Sequence, residues 1–391
     1  MKRIKVAVVF GGRSPEHDVS LTSASSILQN INREKYEVLP IMISRTGRWR
    51  LLSRVPDSPT PEALGCAPGA LLAAGDPERP GFYLLEAADG DSGRITGFIR
   101  PDVVFPVLHG AFGEDGTVQG LLGLSNLACV GAGVMASSVG MDKILMKQVF
   151  LQNDLPCVDF IWFLRKKWES DSGVIREAVR KEIGFPCFVK PANAGSSVGV
   201  FKARDEAGLM RSVDAASEYD RKILVEKAVE GRELECSVLG NDEPEASVVG
   251  EIVAANEFYD YEAKYQSLGS KTLVPADLSL PIARAVRHFA VEAFRAVDCA
   301  GMARVDFFLE RGSHRIFVNE INTIPGFTPI SMYPKMWEAS GIPYSELIDR
   351  LIRLALERHQ DVMRSKFHRL QDGENPKAAA GPPVPNEGEN R

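Results

Sequence analysis

Two short stretches near the C-terminal end hold residue types suited to phosphate and carbonyl chemistry. They are Gly301-Met-Ala-Arg304-Val-Asp306-Phe-Phe-Leu and, after Arg311-Gly-Ser-His, Arg315-Ile-Phe-Val-Asn319-Glu320-Ile-Asn322-Thr-Ile-Pro325-Gly326. Side chains in a strand alternate with period two, so Arg304 and Asp306 share one face, as do Glu320 and Asn322. If the strands pair as a hairpin, two carboxylates, an amide oxygen and a guanidinium meet. Asp306, Glu320 and Asn322 are hard oxygen ligands of the kind Mg²⁺ takes, with phosphate oxygens completing its octahedron. A fixed cation at Arg304 would stabilise negative charge developing on a reacting oxygen. The same alternation also suits a surface hairpin with a charged outer face. Phe307, Leu309, Ile316 and Val318 give the strands a buried side, and Gly326 can present a backbone N–H with no side chain in the way.

Further candidates lie upstream. Lys143 stands at the start of a helix over Asp142–Asn153, where a lysine opposes the helix dipole. Lys190-Pro191 ends a strand, and the small-residue loop Gly195-Ser196-Ser197-Val-Gly199 suits backbone amides and hydroxyls closing over phosphates. It is not a Walker loop, which needs G-x-x-x-x-G-K-[ST] opening a helix. A ligand-free glycine-serine hairpin is the other reading. Glu16 and His17 follow Gly11-Gly12 at the end of the first strand, and His109 opens the loop to Gly116. His109 also suits a loop-fixing role.

These residues need elements to hold them. Val6–Phe10 reads as a parallel strand buried on both faces, with Ser20 capping a helix striped by Leu21, Ala24, Leu28 and Ile31. Strand, glycine loop and helix make a βα unit of the doubly wound kind, although no G-x-G-x-x-G is present. Strands are expected at 38–44, 102–108, 158–164, 185–191, 222–227, 235–239 and 247–253, with a hairpin around 82–99. Helices are expected at 174–183, 282–297, 329–339 and 344–359. Glu257 to Ser270 is polar, aromatic and long enough for a lid. The segment from about Lys366 is poor in apolar residues and should be disordered.

A chain of 391 residues has room for two or three domains. The formal net charge of -6 argues against a nucleic-acid partner, so an anionic nucleotide would need local lysines and backbone amides. The six cysteines form no C-x-x-C pair, which disfavours zinc and disulfides. With neither a signal-peptide core nor a membrane-length apolar run, the expectation is a cytoplasmic protein without membrane contact.

In this order the motifs resemble the D-alanine–D-alanine ligases of the ATP-grasp superfamily, over nearly the whole chain to about His359. The carriers are His109-Gly, Gly113-Glu-Asp-Gly-Thr117, Lys190-Pro with Gly195–Gly199, Tyr259-Asp-Tyr-Glu-Ala-Lys264-Tyr265, Arg304-Val-Asp306, and Asn319 to Gly326. The resemblance implies an α/β fold, α+β in places, with a Rossmann-like substrate domain (1–136). Two ATP-grasp domains clamp the nucleotide, a small central one (137–225) and a C-terminal one (226–365) with its lid at 257–272. The tail is 366–391.

It implies that ATP phosphorylates one D-alanine and that the amine of a second displaces phosphate. Lys143, Lys190 and Ser197 would hold phosphates, with Glu226, Lys227, Val229, Glu233 and Asn319 around the rest of ATP. Asp306, Glu320 and Asn322 would ligate Mg²⁺ or Mn²⁺, with Lys264 near the transferred phosphoryl. Arg304 and the Gly326 amide would form the oxyanion site. Glu16, Ser196 and Tyr265 would form a hydrogen-bonded set at the first D-alanine, with His109 close by and Ser331 near the second. The family is usually homodimeric. The intact Glu-Ala-Lys-Tyr265 motif favours an amine over D-lactate as the second nucleophile. A D-alanine–D-lactate or D-alanine–D-serine ligase, or a non-catalytic ATP-binding module, is the alternative.

Overall fold

Val6–Phe10 is wholly excluded from solvent, which a continuous apolar run permits only where helices or loops cover both faces of a sheet. The computed structural model describes residues 2–53, 67–87, 93–253 and 271–365; the lid motif and the tail lie outside them. The run forms β1 (Ile4–Gly11), followed by α1 (His17–Asn30), β2 (Tyr36–Ile43), β3 (Trp49–Leu51), β4 (Gly69–Leu72), β5 (Phe82–Ala87), β6 (Gly93–Ile99), β7 (Val103–Val107), α2 (Thr117–Leu124) and β8 (Ala128–Cys129). These strands make one sheet in the order β6-β5-β4-β3-β2-β1-β7-β8. The β2-β1-β7-β8 half is parallel and the remainder antiparallel. The hairpin expected around 82–99 is β5–β6.

Ser20 is not the helix cap it was expected to be. Glu16 stands at the N-cap, and Ser20 lies inside the first turn. Its hydroxyl accepts the Gly11 N–H at 2.7 Å and donates to the Val107 carbonyl, joining the ends of β1 and β7. The buried residues of α1 are His17, Ser20, Ser23, Ala24, Ser26, Ile27 and Leu28, so three serines are buried in a helix where a periodicity reading looks for apolar side chains.

The chain continues through α3 (Val134–Met141), α4 (Lys143–Gln152), β9 (Phe160–Leu164), α5 (Arg165–Ala178) with a π turn at Val179–Ile183, β10 (Cys187–Pro191), β11 (Phe201–Ala203), α6 (Glu206–Ala216) and β12 (Lys222–Lys227). An antiparallel sheet ordered β11-β10-β12-β9 results. Helix α5 is kinked at Asp171 (φ −156°, ψ 49°); its second piece corresponds to the helix expected from Val174, and an additional first piece is anchored by Trp168, which stacks on Phe163 and donates to Asp214 at 2.8 Å. The third sheet, β15-β14-β13-β16-β17, comprises β13 (Gly231–Gly240), β14 (Glu245–Val253), β15 (Lys271–Leu273), β16 (Gly301–Glu310) and β17 (Ile316–Asn322). Helix α7 (Leu280–Ala296) precedes β16, and α8 (Met332–Ala339) and α9 (Tyr344–Val362) end the described chain. Val286, Ala290, Ala293 and Phe294 of α7 pack with Met146 and Phe150 of α4 on Leu234, Cys236, Val305 and Phe307. A different core joins the first sheet to the last helices: Val6, Phe10, Phe105 and Val107 share it with Met302, Phe327, Trp337, Leu347 and Leu351.

Helix α4 is also fastened by charge. The Lys147 side chain is only 1% exposed; its Nζ lies 3.3 Å from Glu226 Oε2 and donates to the Asn319 carbonyl at 3.3 Å. It thereby ties α4 to β12 and β17. Lys190 pairs with the other oxygen of Glu226. Burial alone would raise the Glu226 pKa, but the two lysines hold it down at about 2. A buried pair stripped of one partner typically loses about 3–5 kcal/mol. Lys147→Met should therefore lower the unfolding free energy by about 3 kcal/mol, as read by chemical denaturation. Glu226 contributes stability that is complete above its unfolded value of 4.5 and is lost as pH falls toward 2. Glu226→Gln should flatten the acid limb of the stability curve in that window.

Candidate active site where the three sheets meet

The β16–β17 hairpin has the register its side chains require. Arg304 faces Asn322 and Asp306 faces Glu320, with a bulge immediately after Asp306. On the other side of β16, Glu235 of β13 faces Asp306, Ser237 faces Arg304, and Glu233 faces Phe308. Directly opposed residues share a sheet face, so Glu235, Asp306 and Glu320 form a row of carboxylates across three strands. The reverse face carries Cys236, Val305, Phe307 and Val318 in the core beneath α7. A polar face therefore lies on a dry, rigid backing.

Arg304 neutralises this row. Its Nε and Nη2 each donate to Asp306 at 2.7 Å, and Nε lies 3.2 Å from Glu235. Burial opposes a charged guanidinium, yet Asp306 and then Glu235 hold its pKa well above the ordinary value. Lys143 serves Glu320 in the same way. Asp142 caps α4 by accepting from Ile144 and Leu145 N–H at 3.1 Å, which leaves the neighbouring lysine directed into the cleft. Its Nζ is 3.0 Å from Glu320 and donates to the Ala194 carbonyl at 3.0 Å. Here too burial disfavours the charge, and Glu320 raises the pKa nonetheless. The dipole-opposing position of Lys143 thus coincides with contacts to both the glycine-serine loop and the carboxylate row.

The loop itself bends sharply, with Ser196 and Ser197 both at positive φ, an uncommon conformation for residues other than glycine. Ser196 Oγ donates to Glu16 Oε1, joining the loop to the first sheet. Glu16 is 9% exposed and is seated by Ser14, whose hydroxyl accepts the Glu16 N–H at 3.2 Å and donates to the His109 carbonyl at 2.6 Å. Gly110, at φ +72°, closes the other side; a Cβ there would stand 2.4 Å from Glu16 Oε2. Only glycine permits both the backbone and the carboxylate.

His109 is buried among loops. Nδ1 faces the Ile324 carbonyl at 3.2 Å, which can only accept, so Nδ1 carries the proton. Nε2 meets Ser23 Oγ at 3.1 Å, and that hydroxyl accepts the Phe327 N–H at 3.2 Å. Burial disfavours the imidazolium, but Glu114, with Oε1 3.7 Å from Nδ1, raises the pKa above the ordinary histidine value. The Thr-Ile-Pro-Gly turn is thus held to α1. Beyond it Ser331 Oγ accepts the Thr328 N–H at 3.0 Å and lies 2.8 Å from where a Gly326 Cβ would be.

Three groupings emerge: Glu16–Ser196 with Lys143, Glu320, Asp306 and Arg304; Lys190–Glu226 with Asn319 reached through Lys147; and His109 with the Gly326–Ser331 turn. Lys227 and Val229 stand apart, lining a cavity of about 90 Å³ with Asp159, Arg315 and Phe317. Lys264 and Tyr265 lie outside the described residues. Among those described, no three His, Cys, Asp or Glu side chains are spaced to hold a metal, so a cation at Asp306 and Glu320 would need the Asn322 amide oxygen as its third protein ligand. Two participants escaped the sequence reading. Lys147 sits in the apolar stripe of α4 between Ile144 and Phe150, and that misplacement was a signal. Glu235 repeats the face of Glu233 two residues on.

Known proteins resemble this chain over most of its length. A family model described as the D-ala D-ala ligase N-terminus matches residues 5–132, and one described as the D-ala D-ala ligase C-terminus matches 149–353. A D-alanine--D-alanine ligase of Solibacter usitatus is 50% identical over 367 residues, 94% of this chain and 100% of the relative. One from Heliobacterium modesticaldum is 48% identical over 377 residues, 95% of this chain and 99% of the relative. The solved D-alanine-D-alanine ligase from Coxiella burnetii superposes with a TM-score of 0.80 at 37% identity, covering 93% of this chain and 97% of that one. The VanG D-Ala:D-Ser ligase from Enterococcus faecalis gives 0.78 at 33% identity, covering 90% and 100%. The fold is that of ATP-grasp enzymes, and with both family halves matched in order along it, this chain belongs to the D-alanine–D-alanine ligase family.

Proposed function

We propose that the protein joins two D-alanine molecules in two steps. The γ-phosphoryl of ATP passes to the carboxylate of the first, giving D-alanyl phosphate and ADP. The amine of the second then attacks that carbonyl, phosphate leaves and a proton is released. The observation that carries this reading is the unbroken path of contacts Glu16–Ser196, Ala194–Lys143, Lys143–Glu320 and Asp306–Arg304, which joins all three sheets. Its ends suit the substrate amine and the reacting carbonyl, and its middle suits the phosphates.

A carboxylate resists attack by an amine until an oxygen becomes a good leaving group, which is what phosphorylation provides. The transfer needs positioning and charge neutralisation more than a covalent protein intermediate. Lys143, Lys190 and Ser197 would take the phosphate oxygens, with Lys264 of the lid motif beside them. Glu226, Lys227, Val229, Glu233 and Asn319 would take the adenine and ribose. Glu16 would receive the first ammonium, oriented by Ser196 and Tyr265. His109 shapes the wall of that subsite, and Ser331 would meet the second carboxylate. Asp306, Glu320 and Asn322 fit Mg²⁺ or Mn²⁺ in donor hardness and in register; when bound, the ion offsets phosphate charge. Arg304 and the Gly326 N–H would stabilise the tetrahedral oxyanion. The working units are taken as 1–136, 137–225 and 226–365, acting as a cytoplasmic homodimer.

Purified protein with ATP, Mg²⁺ and D-alanine alone should release phosphate and yield D-alanyl-D-alanine by mass. Turnover that appears only on adding D-serine or D-lactate would overturn the second-substrate assignment, and ATP binding without turnover would overturn the catalytic one. Arg304→Met should lower kcat about 10²–10³-fold, the usual cost of one oxyanion donor. Glu320→Gln should raise the Mg²⁺ concentration needed for half-maximal rate while leaving the melting temperature of the metal-free protein within a few degrees. A large loss of that stability with activity retained would sink the metal assignment.

A further inference from the structure

We propose that Glu235 is a positioning residue for the second chemical step: it is the counter-charge that keeps the Arg304 guanidinium oriented once Asp306 is engaged by the metal–nucleotide complex. The inference rests on the reading of Arg304 as the oxyanion donor and of Asp306 as a ligand.

In the structure both oxygens of Asp306 are bound by the Arg304 fork at 2.7 Å. A fork of that kind fixes the plane of a guanidinium as well as its place. A divalent cation drawing on the same carboxylate weakens the fork and repels the guanidinium beside it. Without a second anchor, Arg304 would swing away when its charge is needed. Glu235 is placed to prevent this. It lies directly opposite Asp306 in the β13–β16 register and two strands from Glu320, with β16 between, so it flanks Arg304 on the side away from the other expected ligands. Its Oε2 is 3.2 Å from Arg304 Nε, and its side chain is 11% exposed. Among the described residues it forms no metal-holding group with Asp306 and Glu320. Its backbone is held between β14 and β16, at Gly250 and Asp306, so the strand cannot carry the carboxylate away.

Glu235→Gln keeps the size and removes the charge. The expected result is a 10- to 50-fold lower kcat with KM for ATP and for D-alanine each within about threefold. Calorimetry should show Mg²⁺ with a non-hydrolysable ATP analogue binding within twofold of the parent affinity. Glu235→Asp, which retains the charge, should recover much of the lost rate. In an Arg304→Met background, Glu235→Gln should change kcat less than twofold, because a residue acting through Arg304 has nothing left to act on. A tenfold loss of metal–nucleotide affinity in Glu235→Gln would make Glu235 part of the metal site and overturn the proposal. So would an unchanged kcat, or a full additional loss in the Arg304→Met background. If Arg304→Met itself leaves kcat intact, the oxyanion reading fails first and separately. Should Glu235→Gln not fold, the same cycle run with Glu235→Asp decides the question: rate losses that add to those of Arg304→Met overturn the proposal.

Discussion

Desolvated charge is the constraint on which this structure turns. Where the three sheets meet, Lys143, Lys147, Lys190 and Arg304 face Glu226, Glu235, Asp306 and Glu320. Each lies at least partly out of water, where an unpaired ion is expensive and a paired one is tolerated. Two of the pairs also fasten α4, since Lys143 reaches β17 and Lys147 reaches β12, whereas Lys190–Glu226 and Arg304–Glu235 each join strands of one sheet. On the proposed reading, phosphate oxygens arriving at Lys143 and Lys190 replace carboxylates rather than water. The lysines are dehydrated beforehand, while Glu226 and Glu320 stay in the site, so the charge the phosphates bring must be offset by the cation.

Precision in that lattice comes from strand register. In an antiparallel ladder a slip of one residue would turn Asp306 and Glu320 to the hydrophobic face. The opposite face prevents the slip, because Val305, Phe307, Val318 and Ile321 have no other place to go. The bulge after Asp306 brings Glu320 level with Asp306 while allowing the rest of β17 to keep its apolar positions inward. Packing on one side of the sheet thus sets the electrostatics of the other.

Much of this was legible in the sequence, and what was missed follows a pattern. The hairpin could be read because two constraints coincide there, period-two burial and ligand chemistry. The first strand could be read because an unbroken apolar run has few other meanings. Ser20 misled because a serine before an apolar stripe is the usual sign of a cap, whereas here the hydroxyl is buried and consumed by Gly11 and Val107. The piece of α5 ahead of the kink at Asp171 escaped because long-range contacts hold it, Trp168 with Asp214 and the Arg165 N–H with the Arg221 carbonyl. Lys147 and Glu235 escaped because their partners lie far along the chain, 79 residues away for Lys147 and 69 for Glu235 (226 − 147; 304 − 235). No local pattern announces a partner at that distance.

The core shared by the first sheet and the last helices has a mechanical consequence. Phe105 meets Phe327 edge to face, with Trp337, Leu347 and Leu351 in the same cluster. Separating those bodies would expose that cluster to water, at a cost of about 1.5–3 kcal/mol for each large side chain uncovered. They therefore behave as a single anvil. The sheet β11-β10-β12-β9 has a core of its own, built from Val179, Val189, Leu209, Val213 and Val225, and it meets the anvil through ion pairs, the glycine-serine loop and a small apolar cluster of Ile144, Phe160, Ala192 and Leu224. The seam between the middle sheet and the anvil is thus much poorer in apolar contact than the seam within the anvil.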